Sequence, residues 1–362
     1  LLYALCAWLF LPALRQGMGG GLGLLLLYGS AVMGATAEVP GGLLRRYREE
    51  REDEVEFVTA SPLTILSENL LPDDWKTIAD CVRKRLTPDM AGVVITHGTD
   101  TLGYSAAALS FMLAGLPVPV ALVSANLPLE DPRSNGTANF LAAVDFIRTE
   151  RLPGVFVFYR QQERDQVFLG ARILQAVPLT DTFASVTGEA WGRMEKGRFR
   201  PYGGEYDPTP DEVRALPAET PPVFPDLRSC VQFVRPYPGM DYRRLSLPGS
   251  VRAVFHGLYH SGTACVRQGE QGGETDFTAF VRRCMDQGIP VYISPLWNRE
   301  AVYASSKRMR ECGVSLLPPM AEEAAYCKLL LAYSLYPENE EARCAYLTRN
   351  LAFEHIWEPD RI

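Results

Sequence analysis

Apolar and polar positions along the 362-residue chain fall into blocks that predict strands alternating with helices. "LGLLLLY" (22–28) and "VEFVT" (55–59) are short apolar runs of strand character, and Val93, Val94 and Ile95 form a β-branched run within 92–97. The segment 72–86 places Trp75, Ile78, Ala79 and Val82 on one helical stripe, with Asp73 and Asp74 at the end where a helix dipole favours acids. Helices are also predicted over 102–114 and over 137–149, where Phe140, Leu141, Val144 and Ile147 repeat at helical spacing. Further strands are predicted at 118–123, 154–159 and 166–173. This alternation implies an α/β fold with a mostly parallel, doubly wound sheet.

The pattern breaks between 203 and 227, where "YGGEYDPTPDEVRALPAETPPVFPD" is rich in Pro, Gly and acids and reads as a linker or long surface loop. Just before it, "WGRMEKGRFRPY" predicts a hairpin turning at Lys196–Gly197. Beyond it, strands are predicted at 230–235, 251–256, 290–294 and 314–317, with helices at 275–287, 299–312, 320–334 and 339–350. The expected organisation is an N-terminal α/β domain over 18–202, a linker over 203–227 and a smaller C-terminal α/β domain over 228–362. Residues 1–17 stand apart. Their apolar run is shorter than the ~20 residues of a membrane-spanning helix and lacks a basic leading region, so upstream or fragmentary sequence is preferred to a secretory signal.

A net charge of −7 argues against nucleic acid or an anionic membrane as the main partner. The eight cysteines show no CxxC or zinc-finger spacing, which fits reduced thiols in a cytoplasmic protein. "GMGGGLG" (17–23) leads into a strand instead of joining strand to helix, so it is not a phosphate loop.

Chemistry gathers in "GVVITHGTDTLGYSA" (92–106), where two hydroxyls and a carboxylate follow a strand and precede a helix. Open α/β sheets bind ligands at such strand ends. A hydroxyl beside a carboxylate can handle water or a nucleophile and hold a substrate ammonium, although Thr99 could simply cap the helix. His97 beside it suits a turn hydrogen bond or a general base. "FHGLYHSGT" (255–263) puts His256 and His260 four apart, but it contains Gly257 and lacks the glutamate of a zinc-protease motif, so no metal is expected.

These stretches resemble the bacterial L-asparaginase family, and its cytosolic type I branch above all. "GVVITHGTDTLGYSAAALSFML" is similar to the family's second active-site signature. "LSENLLPDDWKTIA", "VSANLPLEDPRSNGTANFLAAVDFI", "VRPYPGMD" and "MAEEAAYCKLLL" extend the likeness over about residues 22–350. The resemblance implies the two-domain asparaginase fold, hydrolysis of asparagine to aspartate and ammonia, no metal or organic cofactor, and a homodimer or homotetramer. It implies that Thr99 and Asp100 belong to the catalytic and substrate-binding set. Ser67 would be a ligand of the substrate carboxylate, with Glu68 beside it, and Ala125 and Asn126 would close around the substrate.

Two positions depart from the family pattern. Where its first signature reads TGGTIG, this chain reads "GSAVMG" (29–34), which puts Val32 at the place of the nucleophilic threonine and leaves Ser30 or Thr36 as hydroxyl replacements out of register. Gln175 stands at the place of the catalytic lysine, and no lysine occurs between Lys84 and Lys196. Arg172 is near, but a guanidinium with a pKa above ~12 is a poor proton acceptor. The expectation is an asparaginase-like amidohydrolase with weak or absent turnover. The alternative is a non-catalytic relative that binds an amino acid.

Overall fold

The computed structural model describes residues 22–28, 39–53, 55–267, 275–294 and 303–356. The leucine run of β1 (Leu22–Tyr28) lies inside a sheet, with Leu24 to Leu27 wholly buried. An unbroken apolar run suits a strand covered by helices on both faces. Strand β1 pairs in parallel with β2 (Val55–Ala60) on one side and β3 (Met90–Thr96) on the other. β4 (Pro119–Val123) and β5 (Gly154–Gln161) continue in parallel from β3. The antiparallel strands β6 (Arg164–Leu169), β7 (Gly192–Glu195) and β8 (Arg198–Pro201) complete the order β2-β1-β3-β4-β5-β6-β7-β8.

The helices of this half are α1 (Val39–Glu50), α2 (Pro72–Arg85), α3 (Leu102–Met112) and α4 (Gly136–Thr149). Helix α1 is not among the predicted elements. Its sequence holds Gly41 and Gly42, which weaken helix propensity, and the packing of Leu43 and Tyr47 onto the sheet prevails. The strand predicted at 166–173 is shorter and runs antiparallel to β5. Only Gln162 and Glu163 join the two strands, both at positive φ, and a link of two residues permits a hairpin but no crossover. The Lys196–Gly197 turn lies where expected, again with both residues at positive φ.

The stretch 203–227 is docked against the sheet. It contains the short helix α5 (Pro210–Arg214), closed by a capping box between Thr209 and Glu212. Val213, Phe224 and Leu227 are buried, and Trp191 Nε1 donates to the Pro208 carbonyl at 2.7 Å. A second, all-parallel sheet has the order β12-β11-β10-β9, made of β9 (Val231–Val234), β10 (Ala253–His256), β11 (Val291–Ile293) and β12 (Ser315–Leu316). Its helices are α6 (Phe277–Asp286), α7 (Ala304–Glu311), α8 (Glu322–Leu335) and α9 (Glu340–Thr348). These elements match the strands and helices predicted for the second half to within a few residues, apart from 295–302, which lie outside the described residues. No described helix is long and apolar enough to cross a membrane.

One apolar cluster serves both sheets, running from Leu25 and Trp75 through Leu109 to Phe255 and Leu330. Helix α3 has almost no polar face and is buried along its length, packed against α8. Behind α8 lies a buried ion pair, where Lys328 Nζ donates to Glu354 Oε1 and to the Arg349 carbonyl, both at 2.5 Å. Glu354 also accepts the backbone N–H groups of Leu351 and Ala352. Removing one partner of such a pair strands a charge away from water. Lys328→Met is therefore expected to destabilise the chain by about 3–5 kcal/mol, measured as a fall in the urea midpoint at unchanged slope.

Candidate active site

The strand order changes direction between β1 and β3, and the crevice at the C-terminal ends of these strands is the ligand site favoured by open α/β sheets. Residues 97–101 follow β3 there. The loop after β1, with the sequence candidates Ser30, Val32 and Thr36, lies outside the described residues.

The turn after β3 is held from several sides. His97 is wholly buried, its backbone N–H donates to the Val123 carbonyl at 2.9 Å, and its Nδ1 lies 2.8 Å from the Gly98 carbonyl. A carbonyl only accepts, so Nδ1 carries the proton. Burial lowers the His97 pKa to about 4, which keeps the imidazole neutral. Thr99 is half-buried and Asp100 exposed. Thr101 Oγ1 donates to the Ser67 carbonyl at 2.9 Å, so the loop carrying Ser67 and Glu68 is fastened to the start of α3. Ser67 is buried and Glu68 exposed.

Gln175 completes the fastening. Its Oε1 accepts the Gly103 N–H at 2.8 Å, and its Nε2 donates to the Asp100 carbonyl. Both ends of the carboxamide thus hold backbone at the N-terminus of α3. The Gln175 backbone N–H in turn donates to Glu323 Oε1 at 3.0 Å. Glu323 belongs to α8 and is buried, and burial raises its pKa above the usual carboxylate range.

Thr99, Asp100 and Gln175 line one open cleft of about 640 Å³ together with Asn126, Tyr159 and Asp181. Asp181 accepts from the Tyr159 hydroxyl and, at 2.5 Å, from Asn126 Nδ2. Tyr159 and Asp181 are absent from the sequence candidates. Their signal was faint, a tyrosine near the end of β5 and an acid in the loop 174–183. Ala125 is buried just before Asn126, whose backbone N–H and side-chain Oδ1 pair reciprocally with Asn135. The cleft wall thus offers hydroxyls, amides and two carboxylates, and among the described residues no Lys, Arg or His lines it.

The other candidates lie elsewhere. Arg172 is buried and gives its guanidinium to Asp207 and to the carbonyls of Tyr206, Phe353 and His355. Lys196 is exposed at its hairpin tip. His256 lies on β10, 2.9 Å from the Tyr242 hydroxyl, and His260 lies in the following loop, so the two share no helix face.

Residues 26–204 match the family model described as "Asparaginase, N-terminal". The chain is 32% identical over 277 residues to a glutamyl-tRNA(Gln) amidotransferase subunit of Methanopyrus kandleri, covering 74% of this chain and 58% of that protein. It is 28% identical over 315 residues to the L-asparaginase of Thermococcus kodakarensis, covering 84% and 88%. The chain therefore spans less than two thirds of the amidotransferase protein and most of the asparaginase. Among solved structures, the thermostable L-asparaginase from Thermococcus kodakarensis superposes with a TM-score of 0.75 at 25% identity, over 93% of this chain and 99% of that one. L-asparaginase I from Vibrio cholerae superposes at 0.74 and 23% identity, over 92% and 99%, a likeness of fold.

The buried histidines give the fold a pH signature. Burial lowers His97 and His256 from 6.5 to about 4. Below pH 6.5 the unfolded chain binds protons that the folded chain refuses. Stability from these groups is complete above pH 6.5 and is lost as pH falls toward 4, by up to about 3 kcal/mol each. Urea unfolding across this range should show the loss, and His97→Asn should flatten part of it.

Proposed function

We propose that this chain is an asparaginase-family protein, since residues 26–204 match the family's N-terminal model, and that the cleft binds a small amino acid with a side-chain carboxamide. The reaction class is L-asparagine plus water to L-aspartate plus ammonia, with turnover weak or absent. In this reading Thr99 contacts the carboxamide, Asp100 takes the ammonium, and Ser67, Glu68 and Ala125 shape the pocket around them. Val32 and Gln175 mark the two places where cutting chemistry is lost. The kinship is with type I asparaginases, and the assembly is a homodimer or a dimer of dimers. Relatives named as part of an amidotransferase raise assembly with an unlike chain as the contrasting case.

One observation carries the reading. The Gln175 carboxamide is spent at both ends on the Asp100 carbonyl and the Gly103 N–H, and no basic side chain among the described residues lines the cleft beside Thr99. A threonine hydroxyl attacks a carboxamide only when a neighbouring base draws off its proton. Losing both nucleophile and base partner costs several orders of magnitude in rate. The same observation favours a second reading, a non-catalytic protein that senses or stores an amino acid.

Ammonia release from L-asparagine should stay at the assay floor, far under the ~1–10³ s⁻¹ of ordinary enzymes. L-Asparagine should nevertheless raise the thermal midpoint of the chain, and Thr99→Ala should abolish that rise. Turnover of ordinary size would overturn the silenced centre. An unmoved midpoint would overturn ligand binding itself.

A further inference from the structure

The cleft is lined by the first half of the chain, yet one of its supports comes from the second. Glu323 lies in the first turn of α8, buried between the two halves and only 3% exposed. A carboxyl is seldom buried without a charge partner. The groups facing it are Tyr104 of α3, Glu322 and Cys327 of its own helix, and Arg235 just after β9. Arg235, the one cation among them, is engaged by Glu322 at 2.5 Å. Burial accordingly disfavours the charged form of Glu323. An apolar side chain of the same size would hold the two halves together at lower cost.

What the carboxyl does supply is an acceptor. Gln175 lies in irregular backbone, where no strand ladder takes up its N–H, and Glu323 Oε1 accepts that N–H at 3.0 Å. The preceding N–H, of Leu174, donates to the Ala184 carbonyl at 2.9 Å. With both N–H groups held, the backbone at Gln175 has one orientation, and its carboxamide is carried to the N-terminus of α3. There it accepts the Gly103 N–H at 2.8 Å and donates to the Asp100 carbonyl. The bond to Gln175 is the one hydrogen bond of the Glu323 side chain to another segment among the described residues. Glu323, Tyr326 and Cys327 stand at i, i+3 and i+4 and so share one face of α8. Tyr326 meets the Tyr104 ring edge-on at 6.0 Å, and Cys327 Sγ donates to the Tyr104 carbonyl at 3.3 Å. The face of α8 that holds Gln175 therefore also grips the first turn of α3.

We propose that Glu323 is a positioning residue for the cleft: it fixes the Gln175 backbone, and through the Gln175 carboxamide it sets where Thr99 and Asp100 stand. This deepens the reading of the cleft as an amino-acid site and rests on it for the ligand. Glu323 touches no ligand itself. It acts as the outer support that keeps a binding constellation in its productive geometry.

Hydrogen–deuterium exchange of the full chain, read by mass spectrometry beside isothermal titration with L-asparagine, tests this. Glu323→Leu removes the acceptor at similar size. It should speed exchange about tenfold in both 170–178 and 97–106 and weaken L-asparagine about tenfold, the scale of one lost hydrogen bond. Glu323→Gln keeps a carbonyl oxygen for the Gln175 N–H and should match the parent in both readouts. Lys328→Met, which breaks the Glu354 pair instead, should lower the unfolding midpoint yet leave 97–106 unchanged, which separates positioning from general stability. Gly103→Ala breaks the relay at its other link, since a Cβ there would come within 2.7 Å of Gln175 Oε1. It too should loosen 97–106 and weaken binding. The relay is overturned if Glu323→Leu speeds exchange in 170–178 alone, or if Gly103→Ala changes neither protection nor affinity. It is equally overturned if Glu323→Gln behaves like Glu323→Leu, or if Lys328→Met loosens the turn as much. If the parent chain does not bind L-asparagine, the amino-acid site falls and exchange alone decides the part of Glu323.

Discussion

The N-terminus of α3 is the point on which the cleft depends. A helix begins with backbone N–H groups that have no partner within the helix, and here the Gly103 N–H finds its acceptor in Gln175. Gly103 makes this possible, since a Cβ there would come within 2.7 Å of Gln175 Oε1. A lysine at position 175 could not play this part, because an ammonium only donates. Glutamine can, because its carboxamide both accepts and donates, and here it holds backbone at both ends. The same residue ties the turn to α8 through Glu323, so the small-sheet half of the chain helps to set the position of Thr99 and Asp100.

This fastening is part of a wider pattern in which the second half braces the first. Helix α3 lies buried against α8, and a shared apolar cluster runs through both sheets. Arg172, three residues before Gln175, anchors the chain just upstream of it. It reaches the strap 203–227 at Tyr206 and Asp207 and the C-terminal stretch at Phe353 and His355. The loop 174–183 is thus moored at its start by Arg172 and Gln175 and at its far end by Tyr159 and Asn126. Between these moorings residues 177–181 are exposed.

Electrostatics follow from the same arrangement. The cleft wall contains two acids and, among the described residues, no Lys, Arg or His, so its local field is negative. Each partner of Asp181 is a neutral donor, so it directs the carboxylate without cancelling its charge. The relatives include both an L-asparaginase and amidotransferase subunits.

The sequence by itself determined the sheet. Apolar runs such as Leu24–Leu27 and Val93–Ile95 can be satisfied only as covered parallel strands, and the period of Trp75, Ile78, Ala79 and Val82 admits only a helix. It also drew attention to the turn after β3 and to Gln175, which line one cleft in the structure. Tertiary structure decided the rest. Helix α1 formed despite its glycines because Leu43 and Tyr47 found the sheet. The strand after β5 turned back because a two-residue link cannot cross over. The linker became a docked strap because Phe224, Leu227 and Val213 had a surface to cover. Asp181, Tyr159 and Asn126 come from segments far apart in the chain, and no local pattern announces their meeting. Periodicity records which face of an element is buried; it carries no record of which distant side chains share one cleft.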